Sequence, residues 1–119
     1  MKVLYVEDDP ASQKLVQKGL AAEDIEVTVV GDGSRAIEIL KSTPFDALLL
    51  DIMLPGIDGF QVGRAARREA LNKDIPIILL TAHPYSLREY DAKRLEPVAA
   101  LTKPINFDKL IAALKSIDA

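Results

Sequence analysis

Residues 3–10 read VLYVEDDP, an apolar run that stops at three acids and a proline. The run lacks the apolar/polar alternation of a half-solvated strand, which predicts a strand buried on both faces. Pro10 stands where a proline is tolerated, in the first turn of a helix. An apolar side of that helix follows at Leu15, Val16 and Leu20. The stretch therefore predicts a strand, a short acidic loop and a helix.

Four further apolar runs lie along the chain, at Ile25 to Val30, Ala47 to Leu50, Ile75 to Leu80 and Val98 to Leu101. Only the first of these four alternates apolar with polar residues, which favours an edge position for the second strand. The other runs have the composition of strands that helices cover on both faces.

Segments with helical spacing separate the runs. The clearest spans 107–117 after a possible cap at Asn106, and another begins at Gly33 or Ser34. Weaker patterns cover Gly59 to Leu71 and Ser86 to Leu95. Strand and helix thus alternate five times, which predicts an α/β fold with a doubly wound, five-stranded parallel sheet and five helices on its two faces.

Size and composition set the class of protein. The chain has 119 residues, 49% of them hydrophobic, which suits one domain over residues 1–119 with its own core. There is no cysteine, so disulfides and sulfur-ligated zinc are excluded. The net charge of −3 comes without a basic stripe, which argues against direct nucleic-acid binding. No apolar run approaches the roughly 20 residues of a membrane span, and we expect a cytoplasmic protein.

Polar residues follow the predicted strands where each one ends. Glu7 and Asp8 follow the first run, Asp51 the third, Thr81 the fourth and Lys103 the fifth. In a doubly wound sheet, ligands bind beyond the carboxyl ends of the strands, so these side chains are expected to meet there. Crowded carboxylates need a cation, and carboxylate oxygens without His or Cys favour Mg²⁺, with Mn²⁺ possible.

A magnesium site of this kind predicts phosphate chemistry. The Thr81 hydroxyl and the Lys103 ammonium are groups that suit the oxygens of a transferring phosphoryl group. Asp51 is a candidate nucleophile, since carboxylates form acyl phosphates. Capping of the first helix is the alternative role for Asp8 and Asp9, and capping and metal binding can coexist.

From end to end, the chain resembles the receiver domain of two-component response regulators. The resemblance rests on four stretches and their spacing, namely VLYVEDDP at 3–10, LLLDIMLPGIDG at 48–59, ILLTA at 78–82 and LTKP at 101–104. It implies a flavodoxin-like strand order of 2-1-3-4-5. It also implies that the chain is not an enzyme but a phosphoacceptor signalling domain that assists its own phosphorylation and dephosphorylation.

The resemblance also implies residue roles. Asp51 would accept a phosphoryl group from a phosphohistidine on a sensor histidine kinase or a histidine phosphotransfer protein. Asp8 and Asp51 would bind Mg²⁺ directly and Glu7 through water, with the Met53 carbonyl completing the protein ligands. Thr81 would turn its hydroxyl toward the phosphoryl group. Lys103 would pair first with Asp51 and then with phosphate, and the peptide bond before Pro104 would be cis.

Two positions flank this site. His83 and Met53 project over the phosphoryl group in receivers, which gives the hypothesis that they control entry of the hydrolytic water; the alternative for His83 is an ordinary polar surface role. The family usually has Phe or Tyr where this chain has Ala100. The chain therefore lacks the ring that conventionally couples the site to an output surface. Tyr85 or Tyr90 is a candidate for that mobile ring, and the alternative for each is a packing role.

The leading hypothesis is a phosphorylatable module that changes its binding to a downstream protein. A binding-only receiver with constitutive partner contact is the first alternative, which Ala100 supports. A Mg²⁺-dependent phosphatase is the second, but it would need an acid two residues after Asp51, where Met53 stands. Because the chain ends soon after the last predicted helix, we expect either a stand-alone receiver or a piece of a longer protein.

Overall fold

A computed structural model describes residues 1–54, 56–82 and 94–117 of the chain. Its centre is a parallel sheet of five strands, which are β1 (Lys2–Val6), β2 (Glu26–Val30), β3 (Ala47–Asp51), β4 (Ile77–Thr81) and β5 (Ala99–Thr102). The strand order is β2-β1-β3-β4-β5, which confirms the predicted order. The prediction of an edge position for the second strand is confirmed as well.

Four helices lie in the described parts of the chain, which are α1 (Pro10–Ala21), α2 (Gly33–Ser42), α3 (Gly59–Arg68) and α4 (Phe107–Ile117). Most of the predicted helix over Ser86 to Leu95 lies outside the described residues, so the number of five helices stays a prediction. None of the helices in the described ranges has the length and apolar character that a bilayer span requires.

Two hydrophobic cores cover the two faces of the sheet. Successive residues of a strand point to opposite faces, and β1 follows this rule. Leu4 and Val6 join a core with α2 and α3, whereas Val3 and Tyr5 join a core with α1 and α4. Helices therefore lie on both faces, as the doubly wound prediction required, and β1 and β3 are buried at the centre of the sheet.

The fifth strand departs from its predicted burial. We expected the apolar run at Val98 to Leu101 to be covered on both faces, but Val98, Ala100 and Thr102 are exposed while Ala99 and Leu101 are half-buried. The physical reason is position, since β5 is an outer strand of the sheet that pairs only with β4 among the described strands. An apolar run without polar residues gives no sign in the sequence that the strand lies at the edge of the sheet.

Polar caps fix where the helices begin. The side chains of Asp9 and Asp32 accept hydrogen bonds from backbone N–H groups in the first turns of α1 and α2, and Asp58 forms a reciprocal capping box with Gln61 on α3. Asn106 accepts from the backbone N–H of Lys109 in α4, at 3.2 Å. These caps fix the first turn of each helix.

Helix α3 ends at Arg68, three residues before the predicted end at Leu71. The reason lies in the following turn, where the side chain of Asn72 is buried and satisfied by backbone groups. Its Nδ2 donates to the carbonyls of Leu40 and Thr43, at 2.7 and 2.9 Å, and its Oδ1 accepts from the backbone of Phe45, at 3.1 Å. The turn is therefore tied to the segment after α2 and does not continue the helix.

Candidate functional site

The carboxyl ends of the strands bring the predicted polar residues to one edge of the sheet. Glu7 and Asp8 directly follow β1, and Asp51 is the last residue of β3. The pairing of Val6 with Leu50 sets these two strand ends side by side. As a result, one carboxylate oxygen from each of Glu7, Asp8 and Asp51 lies within 4.8 Å of the others. Glu7 and Asp51 are buried, whereas Asp8 is exposed.

Lys103 lies across from these carboxylates. Its Nζ donates to Oδ2 of Asp51, at 2.9 Å, and to Oε1 of Glu7. The backbone of Lys103 is held as well, since its N–H donates to the carbonyl of Thr81, at 2.8 Å. The bond between Lys103 and Pro104 is cis, as predicted. One ammonium group therefore bridges two buried carboxylates at the carboxyl ends of two neighbouring strands.

Burial and charge determine the protonation of this group of residues. Burial, together with the contact with the Asp51 carboxyl, raises the pKa of Glu7 to about 7, although the Lys103 ammonium acts to lower it. For Lys103, burial by itself would lower the pKa, but the hydrogen bonds to Glu7 and Asp51 outweigh that effect and raise it. The lysine thus stays charged, and its single ammonium group is shared between two carboxyl groups.

One atom of Glu7 shows that these side chains fit a bound cation. Oε2 of Glu7 is buried and meets no hydrogen-bond donor among the described residues. A buried acceptor without a partner is costly, and two facing carboxylates repel each other unless a shared proton or a bound metal ion lies between them. The three carboxylates exceed the single ammonium in charge, and all the donors are hard oxygens. The residues therefore fit Mg²⁺, which prefers such ligands.

Asp51 is held at both of its oxygens. Oδ2 accepts from Lys103, and Oδ1 accepts from the backbone N–H of Met53, at 2.9 Å. The loop that follows is pressed against α3, because a Cβ on Gly59 would lie 2.6 Å from the Asp51 carbonyl oxygen. Only glycine permits that approach of helix and loop. The Asp51 carboxylate is thereby fixed in place before any ligand arrives.

Asp8 and Asp9, which follow β1, have different roles. Asp9 caps α1, since its Oδ2 accepts from the backbone N–H and the hydroxyl of Ser12, at 3.0 and 2.7 Å. These hydrogen bonds lower the pKa of Asp9. Asp8 makes no such cap in the described residues and belongs to the carboxylate cluster. Capping and cluster formation thus coexist on adjacent residues.

Thr81 and Met53 complete the predicted site. Thr81 is buried at the end of β4, next to β3, and its backbone binds Lys103. Met53 is 56% exposed, and its backbone N–H donates to Asp51, so the predicted role of its side chain in admitting water stays a prediction. His83, Tyr85 and Tyr90 lie outside the described residues. Ala100 is exposed on β5 and places no ring near the site.

Two contacts of Glu7 were absent from the sequence-based prediction. The hydroxyl of Tyr5 lies 3.4 Å from Oε1 of Glu7, and Nε2 of Gln13 donates to the Glu7 carbonyl, at 2.5 Å. The signal for Tyr5 was present, since residues two apart in a strand share a face. Burial raises the pKa of the Tyr5 hydroxyl, and the Glu7 carboxylate adds to that effect, so the phenol remains a donor.

A parallel sheet of this order is the flavodoxin-like α/β class of fold, in which ligands bind at the carboxyl edge where these carboxylates and the lysine lie. The chain belongs to the response regulator receiver domain family, whose model matches residues 3–115. It is 35% identical over 117 residues to the transcriptional regulatory protein TcrA of Mycobacterium tuberculosis, covering 98% of this chain and 46% of that protein. It is 36% identical over 118 residues to the response regulator PleD of Caulobacter vibrioides, covering 98% of this chain and 26% of PleD. The chain thus spans half or less of these relatives.

Solved structures agree with this assignment. The receiver domain of the sensor histidine kinase PA1611 from Pseudomonas aeruginosa superposes with a TM-score of 0.90 at 29% identity, covering 99% of this chain and 98% of that one. That structure has a magnesium ion coordinated in its active-site cleft. The chemotaxis protein CheY4 of Vibrio cholerae superposes with a TM-score of 0.89 at 28% identity, covering 98% and 97% of the two chains.

Proposed function

We propose that residues 1–119 act as a phosphoacceptor unit in which Asp51 receives a phosphoryl group from a phosphohistidine of a sensor histidine kinase or a histidine phosphotransfer protein. Phosphorylation then changes the binding of a downstream protein. The observation that carries this proposal is the bridge from Lys103 to both Glu7 and Asp51 beside an unpartnered buried oxygen. This arrangement places a candidate nucleophile, Asp51, beside an ammonium group and beside a carboxylate oxygen that a metal ion could bind.

The metal ligands in this proposal are Asp8 and Asp51 directly, Glu7 through water, and the Met53 carbonyl. When bound there, the metal, Mg²⁺ or alternatively Mn²⁺, would neutralise charge on the phosphoryl oxygens and make the phosphorus more electrophilic. The exposure of Asp8 leaves this side of the cluster open to solvent, where a metal with bound waters and a phosphoryl donor can approach.

The transfer step makes one bond and breaks one. An oxygen of Asp51 forms a P–O bond while the P–N bond of the phosphohistidine breaks, and the departing imidazole nitrogen takes a proton. Lys103 moves from Asp51 Oδ2 to a phosphoryl oxygen, and the Thr81 hydroxyl donates to another. Attack of water on phosphorus later releases inorganic phosphate and restores the Asp51 carboxylate. The chain thus assists its own phosphorylation and its own dephosphorylation.

A binding-only receiver is the second candidate, and one observation favours it. Ala100 is exposed and carries no ring that could move when Thr81 turns toward phosphate. In that case the partner would bind equally well with and without phosphorylation. A phosphatase is disfavoured because the side chain two residues after Asp51 is the thioether of Met53, which cannot act as an acid.

The experiment is incubation with acetyl phosphate and Mg²⁺ followed by intact-protein mass spectrometry. We expect a species heavier by about 80 Da, the mass of one phosphoryl group, that is absent with EDTA and absent from Asp51→Asn. The matched control is Asp74→Asn, an exposed carboxylate outside the cluster, which should label like the wild type. Labelling of Asp51→Asn, or none of the wild type, would contradict the proposal. Partner capture with and without acetyl phosphate separates the two candidate functions.

A further inference from the structure

Tyr5 places a hydroxyl group deep in the molecule beside the site. The side chain is completely buried among apolar residues of the core that α1 and α4 cover. Its one hydrogen-bond partner among the described residues is Oε1 of Glu7, at 3.4 Å. Since a buried phenol is costly without a polar partner, this contact is the reason that tyrosine is tolerated at the position.

We propose that Tyr5 is a positioning residue that holds Oε1 of Glu7, so that Oε2 stays turned toward the cation. The inference rests on the metal-binding part of the proposed function, because it concerns the carboxylate that faces the metal. It assigns a role to a residue outside the set of Glu7, Asp8, Asp51, Met53, Thr81 and Lys103.

The argument begins with the two oxygens of Glu7. Oε1 meets two donors, the Tyr5 hydroxyl and the Lys103 ammonium, whereas Oε2 meets none among the described residues. The terminal torsion of a glutamate is broad and roughly two-fold, so its own preference does not select which oxygen faces the cation. The two donors make that selection.

The Lys103 ammonium can move away from Oε1 of Glu7 more easily than the Tyr5 hydroxyl can. Lys103 is 21% exposed and also bonds Asp51, and in the proposed reaction it transfers to a phosphoryl oxygen. The Tyr5 ring is enclosed by packed side chains and stays where it is. The contact is longer than an ordinary O–H···O bond, which fits an oxygen already bound by the lysine. When the lysine leaves, Tyr5 is the donor that remains on Oε1.

The test is Mg²⁺ titration by calorimetry of the wild type and Tyr5→Phe, which keeps the ring and removes the hydroxyl. We expect the Mg²⁺ dissociation constant of Tyr5→Phe to rise about tenfold, the lower end of the range for a residue that orients a metal ligand. The matched control is Val16→Ala in the same core, which loses packing but no hydroxyl and should bind Mg²⁺ within about twofold of the wild type. Urea unfolding in EDTA shows that each variant is folded.

A double-mutant cycle with Glu7→Gln distinguishes positioning from a general loss of structure. If Tyr5 acts through Glu7, adding Tyr5→Phe to Glu7→Gln should change the Mg²⁺ dissociation constant less than about twofold. A dissociation constant for Tyr5→Phe within about twofold of the wild type would overturn the inference, and so would an undiminished loss in the Glu7→Gln background. The proposed function is tested separately by acetyl phosphate labelling of Asp51. If the wild type binds Mg²⁺ but is not labelled, the proposed function fails while the positioning role stands.

Discussion

The metal-free protein should become more stable when Glu7 is changed to Gln. Glu7 is completely buried, and burial together with the neighbouring Asp51 carboxyl raises its pKa from 4.5 to about 7. Each unit of pKa corresponds to 1.36 kcal/mol, so ionised Glu7 costs about 3 kcal/mol of the free energy of unfolding. A glutamine keeps the shape, its oxygen can accept from Lys103, and its amide can donate to Asp51.

The sign of this effect fixes its pH dependence. Because the pKa of Glu7 is raised in the folded protein, its contribution to stability is fully present below pH 4.5 and is lost as the pH rises through about 7. Glu7→Gln has no such loss. In EDTA, we expect Glu7→Gln to be more stable than the wild type by about 3 kcal/mol at pH 8 and by less than about 1 kcal/mol at pH 5.

Urea unfolding followed by circular dichroism at both pH values measures the difference, with EDTA throughout. Glu26→Gln is the matched control, because it removes one carboxylate from an exposed position on β2. Mg²⁺ should narrow the gap at pH 8, since a cation that binds only the folded state stabilises the wild type. Equal stability of Glu7→Gln and wild type at pH 8, or a gap that does not grow between pH 5 and pH 8, would refute this reasoning.

Three further variants test the fold away from the site, all by urea unfolding. Glu96 has a φ of +51°, so Glu96→Gly should raise the free energy of unfolding by about 0.5–1 kcal/mol, whereas Glu26→Gly in an extended strand should lower it. Arg67 donates to three backbone carbonyls at 2.6 to 3.2 Å, so Arg67→Met should lower stability by about 2–3 kcal/mol, while exposed Arg68→Met should change it by less than about 0.5 kcal/mol. Asn72→Ala leaves backbone groups of another segment unsatisfied and should cost about 3 kcal/mol; a loss below about 1 kcal/mol would contradict that role.

The strands and their order in the sheet could be predicted from the sequence, because strands buried on both faces consist almost entirely of apolar residues. The runs that became β1 and β3 are almost entirely apolar, and the alternation in the second run marked an edge strand. The residues at which the strands begin were predicted less accurately. The run from Ile75 was expected to begin a strand, but β4 begins at Ile77, because Pro76 has no N–H to donate to a sheet.

The polar residues of the site could be predicted because each belongs to a motif at a strand end. Glu7, Asp8, Asp51 and Lys103 meet as the topology required. Two kinds of contact could not be predicted in this way. They are the side-chain contacts that hold the site residues in place and the side-chain contacts at the opposite edge of the sheet. Arg67 reaches the carbonyl of Leu95, 28 residues away, and such a pairing depends on side-chain packing that no local pattern encodes.

The two edges of the sheet differ in how well their polar groups are satisfied. At the amino-terminal edge of β4, Asn72 and Arg67 bind backbone groups that would otherwise lack partners. At the carboxyl edge, Oε2 of Glu7 is buried without a donor in the described residues, and one lysine serves two carboxylates. Unsatisfied charge in a native protein persists only where the rest of the fold supplies enough stability. The deficit of positive charge therefore identifies the carboxyl edge as the place where binding of a cation contributes stability, and it explains why Glu7→Gln should gain stability while losing affinity for Mg²⁺.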